Sequence, residues 1–233
     1  MDFNPVNFYD KIGKKYTGGQ ITYPTYSKIN IDLPMRMLIV GTSGSGKTNT
    51  LLSIIKQMNC FDKFYFFIKN PDQPLYRYLF DLLDKVAIKS NVSSSAVYQV
   101  YEDMENIPDI KEMGDKSFNT LVIFDDMQEV DNKELKKAQN IFIRGRTLNI
   151  SCVWIGQNYI STPTVIRRNC DYVILKRLSP ISELNLFIQR YGGDQKDKII
   201  KLYDKMLKNP TNFIMFDTKT TKDNLRVRWN YGL

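Results

Sequence analysis

One octapeptide narrows this chain more than anything else in it: Gly41-Thr42-Ser43-Gly44-Ser45-Gly46-Lys47-Thr48. It fills every fixed position of the pattern G-x-x-x-x-G-K-[ST]. The apolar run Met37–Val40 precedes it as a strand, and Asn49–Met58 follows it as a helix. A glycine-rich turn in that setting can wrap backbone N–H groups around a phosphate, and the helix N-terminus adds its positive dipole end. Lys47 then reaches the β- and γ-phosphates, and Thr48 ligates Mg²⁺. The candidate nucleotide-binding residues are Gly41, Thr42, Ser43, Gly44, Ser45, Gly46, Lys47, Thr48 and Asn49, with ATP and Mg²⁺ as the expected ligands. The alternative is a chance glycine-rich turn.

The rest of the chain continues the alternation. Short apolar runs at Met37–Val40, Phe64–Ile68, Val97–Tyr101, Leu121–Phe124, Cys152–Ile155 and Tyr172–Leu175 read as strands buried on both faces. Helices are expected at Lys47–Met58, Leu75–Asp84, Asn132–Arg144, Val165–Asn169, Glu183–Gln189 and Gln195–Leu207, with two last strands near Phe213–Phe216 and Leu225–Trp229. This order implies an α/β P-loop NTPase with a mainly parallel central sheet and helices on both faces. Residues 1–34 mix Pro5, Pro24, Pro34 and Gly18-Gly19 without a period. They read as an extended N-terminal arm that either packs on its own domain or clasps a neighbour. Residues 35–233 form the ATPase domain, with a basic portion at about 192–233.

Composition removes other chemistries. The chain has no histidine, which excludes a Ser-His-Asp triad, a histidine base and histidine-ligated metal. Its three cysteines, Cys60, Cys152 and Cys170, are odd in number and lack metal-ligand spacing, which points to a reducing compartment. Neither a signal peptide nor a run of about 20 apolar residues is evident, so a soluble protein is expected, without membrane insertion. The net charge of +8 is unevenly placed. Residues 1–132 carry 14 Lys and Arg against 17 Asp and Glu, whereas residues 133–233 carry 19 against 8. An anionic partner would meet mainly the second half.

Thr120-Leu-Val-Ile-Phe-Asp125-Asp126 ends an apolar strand in two carboxylates. Asp125 is the candidate for the Mg²⁺ shell, and Asp126 the candidate to polarise an attacking water. Asp126 could instead cap a helix or pair with a cation. In the following helix Leu135, Ala138, Ile141 and Phe142 keep core spacing. That helix ends in Arg144-Gly145-Arg146. Arg144 or Arg146 could insert into a neighbour's γ-phosphate site, since the guanidinium fork binds phosphate oxygens bidentately. Equally, a cation and a glycine at a helix C-terminus need no further role. Gln157, at the end of the strand Cys152–Ile155, can sense the γ-phosphate or orient water, or be a turn amide.

Taken together, the phosphate loop, Phe124-Asp125-Asp126, Arg144-Gly-Arg146 and Gly156-Gln157-Asn158 resemble the FtsK–HerA superfamily of DNA-pumping ATPases. The closer resemblance is to the genome-packaging ATPases of large nucleocytoplasmic DNA viruses and virophages. Lys69-Asn-Pro-Asp72-Gln73-Pro74-Leu75-Tyr76 and Pro163-Thr-Val-Ile-Arg167-Arg168-Asn169 look like that branch too. The likeness covers roughly residues 35–190. It implies a ring, pentamer or hexamer, that threads double-stranded DNA into a preformed capsid in the host cytoplasm or a viral factory, with capsid proteins as further partners. The superfamily usually has Glu where this chain has Asp126, and the shorter side chain makes its role as base less secure.

A pump also needs a basic surface that follows phosphates without reading sequence. Lys198, Lys201, Lys205 and Lys208 share one helix face, opposite Ile199, Leu202, Tyr203 and Met206. This is either a DNA-facing or partner-facing stripe or a solvated face. Arg167 and Arg168 are the other candidates for DNA or subunit contact. Three rivals remain at the level of sequence: an enzyme with a small phosphoryl acceptor, a nucleotide-binding interaction module with weak hydrolysis, and a helicase or other pump of the same superfamily.

Overall fold

The computed structural model describes residues 29–127, 131–180 and 182–232. Eight strands make one sheet: β1 (Arg36–Val40), β2 (Lys63–Ile68), β3 (Tyr98–Tyr101), β4 (Thr120–Asp125), β5 (Ile150–Gly156), β6 (Tyr172–Leu175), β7 (Ile214–Asp217) and β8 (Val227–Trp229). Their order is β3-β2-β4-β5-β1-β6-β7-β8. The six strands from β3 to β6 are parallel, and β7 and β8 are added antiparallel at one edge.

Alternate residues of each strand feed two cores. Leu38, Phe67, Phe124, Trp154 and Val173 lie in one, and Met37, Phe66, Ile123, Val153 and Ile174 in the other. That two-sided burial is why these strands are continuous apolar runs. Helices α1 (Lys47–Met58) and α2 (Pro74–Ser90) cover the second core through Leu51, Ile54, Leu79 and Leu83. A single turn, α3 (Ser94–Val97), joins α2 to β3, and another, α4 (Ile110–Met113), precedes β4. The first core is covered by α5 (Asn132–Arg144), α6 (Thr164–Asn169), α7 (Ser182–Phe187) and α8 (Lys196–Leu207). The last turn, α9 (Asp223–Arg226), leads into β8.

Most expected elements stand where the periodicity places them. Helix α2 runs six residues past Asp84, because no glycine or proline interrupts it before Asn91, which caps it in the left-handed region at φ 53°. Val97 ends a helical turn instead of opening β3, and Leu225 lies in α9 instead of β8. The expected Glu183–Gln189 helix divides into α7 and a π-type turn, Ile188–Gly192. Of the N-terminal arm, residues 1–28 lie outside the described residues. The stretch that follows packs on its own domain, with Ile29 and Ile31 in the second core. All three cysteines are free and buried.

Candidate functional site

The parallel register brings the C-terminal ends of β1, β5 and β4 to one edge, with Val40 opposite Gly156 and Ile155 opposite Asp125. Strand β5 therefore separates the strand that launches the phosphate loop from the strand that ends in carboxylates. The two are spaced across a crevice, where open α/β sheets bind their ligands. A cleft of about 300 Å³ occupies this place, lined on one side by Ser43, Gly46, Lys47, Thr48 and Asn49 and on the other by Asp125, Asp126 and Gln157.

The loop's shape follows from its glycines and its floor. Gly46 sits at φ 84°, and a Cβ there would come within 2.8 Å of the Pro210 carbonyl. At Gly41 a Cβ would meet the Lys176 Cβ at 2.5 Å and the Ser45 Oγ at 2.7 Å. The Thr42 N–H donates to the Arg177 carbonyl at 2.8 Å, which ties the loop to the end of β6. Lys47 bends back over its own loop, with Nζ donating to the carbonyls of Gly41 at 2.8 Å and Thr42 at 3.0 Å. Burial pulls the Lys47 pKa down, while Asp125 and Asp126 hold it up.

The adjacent carboxylates differ. Asp125 closes a buried strand and accepts a 2.6 Å hydrogen bond from the Tyr76 hydroxyl. Burial pushes its pKa up, against the pull of that bond and of Lys47. Burial and Asp125 drive the pKa of this phenol well up, and the nearby Thr48 opposes the rise. Tyr76 thus joins the two residues expected to meet Mg²⁺. Asp126 turns outward in the left-handed region at φ 59° and accepts a 3.1 Å hydrogen bond from Gln157 Nε2. The cap of α5 is Asp131, so Asp126 does not have that alternative role.

The Thr48 hydroxyl and the Asp125 carboxylate are among the oxygen donors that line the cleft, and no group of three acidic or sulfur side chains able to hold a metal ion occurs among the described residues. A small hard cation that keeps waters and shares substrate phosphates suits such a set, and that is Mg²⁺ behaviour. The partly compensated Asp125 charge also fits a cation.

Arg144 and Arg146 do not enter this cleft. They are exposed at the other end of the sheet, beside the start of β5, about 20 Å away at some 3.3 Å per residue. Arg167 lies over the Tyr159 ring, 4.8 Å from its centre, and donates to Thr164; Arg168 is exposed. On α8, Ile199, Tyr203 and Met206 are buried while Lys198, Lys201, Lys205 and Lys208 are exposed, with Lys205 over Trp229.

The sequence reading passed over two residues. Tyr76 entered it only as part of a similar-looking segment, and no spacing rule links a helical tyrosine to a strand-end carboxylate. Lys176 is fully buried beside the phosphate loop, and its Nζ donates to the carbonyls of Pro210 at 2.6 Å and Asn212 at 2.7 Å and to Thr50 Oγ1 at 3.2 Å. Burial lowers its pKa to about 8. An apolar run ending in lysine, Tyr172-Val-Ile-Leu-Lys176, was the signal available.

A family model described as poxvirus A32 protein matches residues 25–223. The chain belongs to the poxvirus A32 protein family. This A32-family chain is also similar to solved structures. The genome packaging NTPase B204 from Sulfolobus turreted icosahedral virus 2, in complex with AMP, aligns at TM-score 0.54 and 14% identity, covering 84% of this chain and 97% of that one. Its AMPPCP complex gives 0.55 and 13%, with the same coverage. B204, the DNA-packaging ATPase from Sulfolobus turreted icosahedral virus, gives 0.57 and 13%, covering 86% and 98%. At these identities the likeness is one of fold, that of a P-loop NTPase. A comparison with curated proteins gave no match. Among the described residues, no helix of the A32-family chain is long and apolar enough to cross a membrane.

Proposed function

We propose that this A32-family protein is an ATP-driven motor that moves double-stranded viral DNA into a preformed capsid, working as a ring of five or six copies. The observation that carries the reading is the single cleft that joins a complete phosphate loop to Asp125, Asp126 and Gln157 across β5. The printed descriptions of the B204 structures, a genome packaging NTPase and DNA-packaging ATPase, support the packaging role for a chain of the same fold.

In this reading the backbone N–H groups of residues 43–48 cradle the β-phosphate. Lys47 gives up the Gly41 and Thr42 carbonyls for the β- and γ-phosphate oxygens, which compensate its charge better than neutral acceptors do. Thr48 and Asp125 would hold Mg²⁺, which would offset phosphate charge. Tyr76 keeps the Asp125 carboxylate aimed. Gln157 orients the attacking water, and Asp126 accepts its proton as the bond from the γ-phosphorus to the leaving oxygen breaks, giving ADP and phosphate. Because Arg144 and Arg146 sit at the far end of the sheet, either can serve only a neighbour's cleft. The exposed cations of α8, with Arg168, are the surface offered to the DNA backbone.

The test is ATP turnover with Mg²⁺, with and without long duplex DNA, for wild type and Lys47→Ala. Turnover stimulated by duplex and lost in the variant supports the motor. Turnover indifferent to DNA at high protein concentration sinks it.

A further inference from the structure

Two basic side chains are buried among the described residues, Arg228 (2% exposed) and Lys176 (1%). Arg228 has a counter-ion, Asp217, at 3.4 Å. Lys176 has none. Its three acceptors, the Pro210 and Asn212 carbonyls and the Thr50 hydroxyl, are neutral, and no carboxylate pairs with it among the described residues. Burying a charge on neutral dipoles alone is costly, and an apolar side chain of similar length would escape that cost. With its pKa lowered only to about 8, the amine keeps its charge at neutral pH. The fold therefore holds one cation in its interior without a counter-charge.

That cation lies under the phosphate loop. Lys176 directly follows β6, and its N–H donates to the Val40 carbonyl at 2.8 Å. Strand alternation turns its side chain to the same side as Ile174, towards α1. Its Nζ lies 3.6 Å from where a Cβ on Gly46 would stand, and Gly46 is among the residues whose N–H groups cradle the β-phosphate in the reading above. Thr50 relays the contact: its hydroxyl accepts from Lys176 at 3.2 Å and donates to the Gly46 carbonyl at 3.1 Å. The Pro210 carbonyl oxygen is closer still, 2.8 Å from the same Cβ position. By itself that oxygen sets the negative end of a dipole beneath a loop shaped for anions. The ammonium, 2.6 Å from it, reverses the sign of the floor.

We propose that Lys176 is a positioning residue of the nucleotide site: its ammonium, clamped under Gly46, makes the floor of the phosphate loop positive and strengthens the hold on the β- and γ-phosphates without touching them. Bound phosphate in turn supplies the counter-charge that Lys176 lacks. The proposal rests on the reading of this cleft as an ATP site. Lys47 differs in kind, since it lines the cleft and meets the phosphates directly in that reading.

Binding of a non-hydrolysable ATP analogue with Mg²⁺, measured from pH about 7.5 to about 9.5, tests it. A nearby anion favours the charged amine, so binding should take up a proton, and affinity should fall as pH rises through about 8. A lysine that only props the loop gives no such fall, because its neutral amine still donates to the same carbonyls. The other charged groups on the elements packed around it are Lys47 on α1, which Asp125 and Asp126 face across the cleft, and Arg177, next in the chain; residues 209–212 hold none. Wild-type affinity should fall about fivefold over the range, and Lys176→Met should start about tenfold weaker and lack that part of the slope. A flat wild-type profile overturns the proposal, and that measurement needs no variant. A slope kept in full by Lys176→Met belongs to Lys47 and overturns it too. If wild type binds no analogue at any pH, the ATP reading itself falls.

Discussion

The nucleotide cleft and the outer face of α8 are built on opposite physical principles. The cleft is concave, and its charged groups are partnered: Lys47 on two carbonyls, Asp125 on Tyr76, Asp126 on Gln157. The α8 face is convex, and its lysines reach into solvent, with only Lys198 and Lys205 making contacts, to Gln195 and Trp229. A site that must stabilise one geometry of charge needs the first arrangement. A surface that must hold a moving polyanion without reading it needs the second, because point charges on flexible stems bind any phosphate. The difference teaches that residue identity should matter in the cleft and only charge on α8.

The hardest blow to that contrast would be a cleft substitution without effect. Lys47→Ala should cut turnover by at least about 10²–10³, the scale for losing one preorganised charge contact at a transition state. Steady-state hydrolysis at saturating ATP measures it.

On α8, Lys198→Gln, Lys201→Gln and Lys205→Gln combined should leave basal hydrolysis intact but weaken DNA affinity. Each lysine that contacts a phosphate should remove about 0.9 from the slope of log K against log salt. Binding isotherms between 50 and 200 mM salt read this, and restoring charge with arginine should restore the slope. A triple variant with an unchanged slope would return α8 to the role of a solvated face.

Tyr76→Phe sharpens the cleft side by removing one oxygen. It takes away a buried partner of Asp125, a loss of about 1–3 kcal/mol in stability. The Mg²⁺ concentration for half-maximal turnover should rise, while the variant with saturating Mg²⁺ regains most of its rate. Thermal melting and a Mg²⁺ titration together distinguish an aiming role from a packing role.

The smallest effect concerns Lys176, which lies between the two regions. Its folded pKa, about 8, is below that of an ordinary lysine, so between these values the unfolded chain binds more protons than the folded one. Stability from this group therefore rises as pH increases from about 8 towards the ordinary lysine value. Denaturant midpoints across that range should climb in wild type, and the Lys176-dependent part of the climb should vanish in Lys176→Met.

Much of this was legible from spacing alone. Period-two burial cannot be read in strands apolar on both faces, yet the length of the runs and their alternation with helices gave the parallel sheet, and the octapeptide placed the cleft at its C-terminal edge. Boundaries slipped where capping decided them, as at Asn91, whose left-handed cap lies beyond the expected end of α2. The helical spacing of Lys198, Lys201 and Lys205 was also readable, and so were the odd number of the cysteines and their lack of metal-ligand spacing; their burial was not. Tyr76 was not, because its partner is 49 residues away.

What the sequence determined by itself is therefore everything local: a phosphate loop whose glycines permit its turn, strands whose apolar length demands two covering layers, and a helix with charge on one side. These follow from backbone sterics and burial, which act over a few residues. Only the tertiary structure decided which distant groups share a space. The insertion of β5 between β1 and β4 set the loop across from the carboxylates, closed Lys176 beneath it, and sent Arg144 and Arg146 to the far end of the sheet. Such pairings depend on strand order and register, which are fixed by the packing of the whole sheet and written in no single segment.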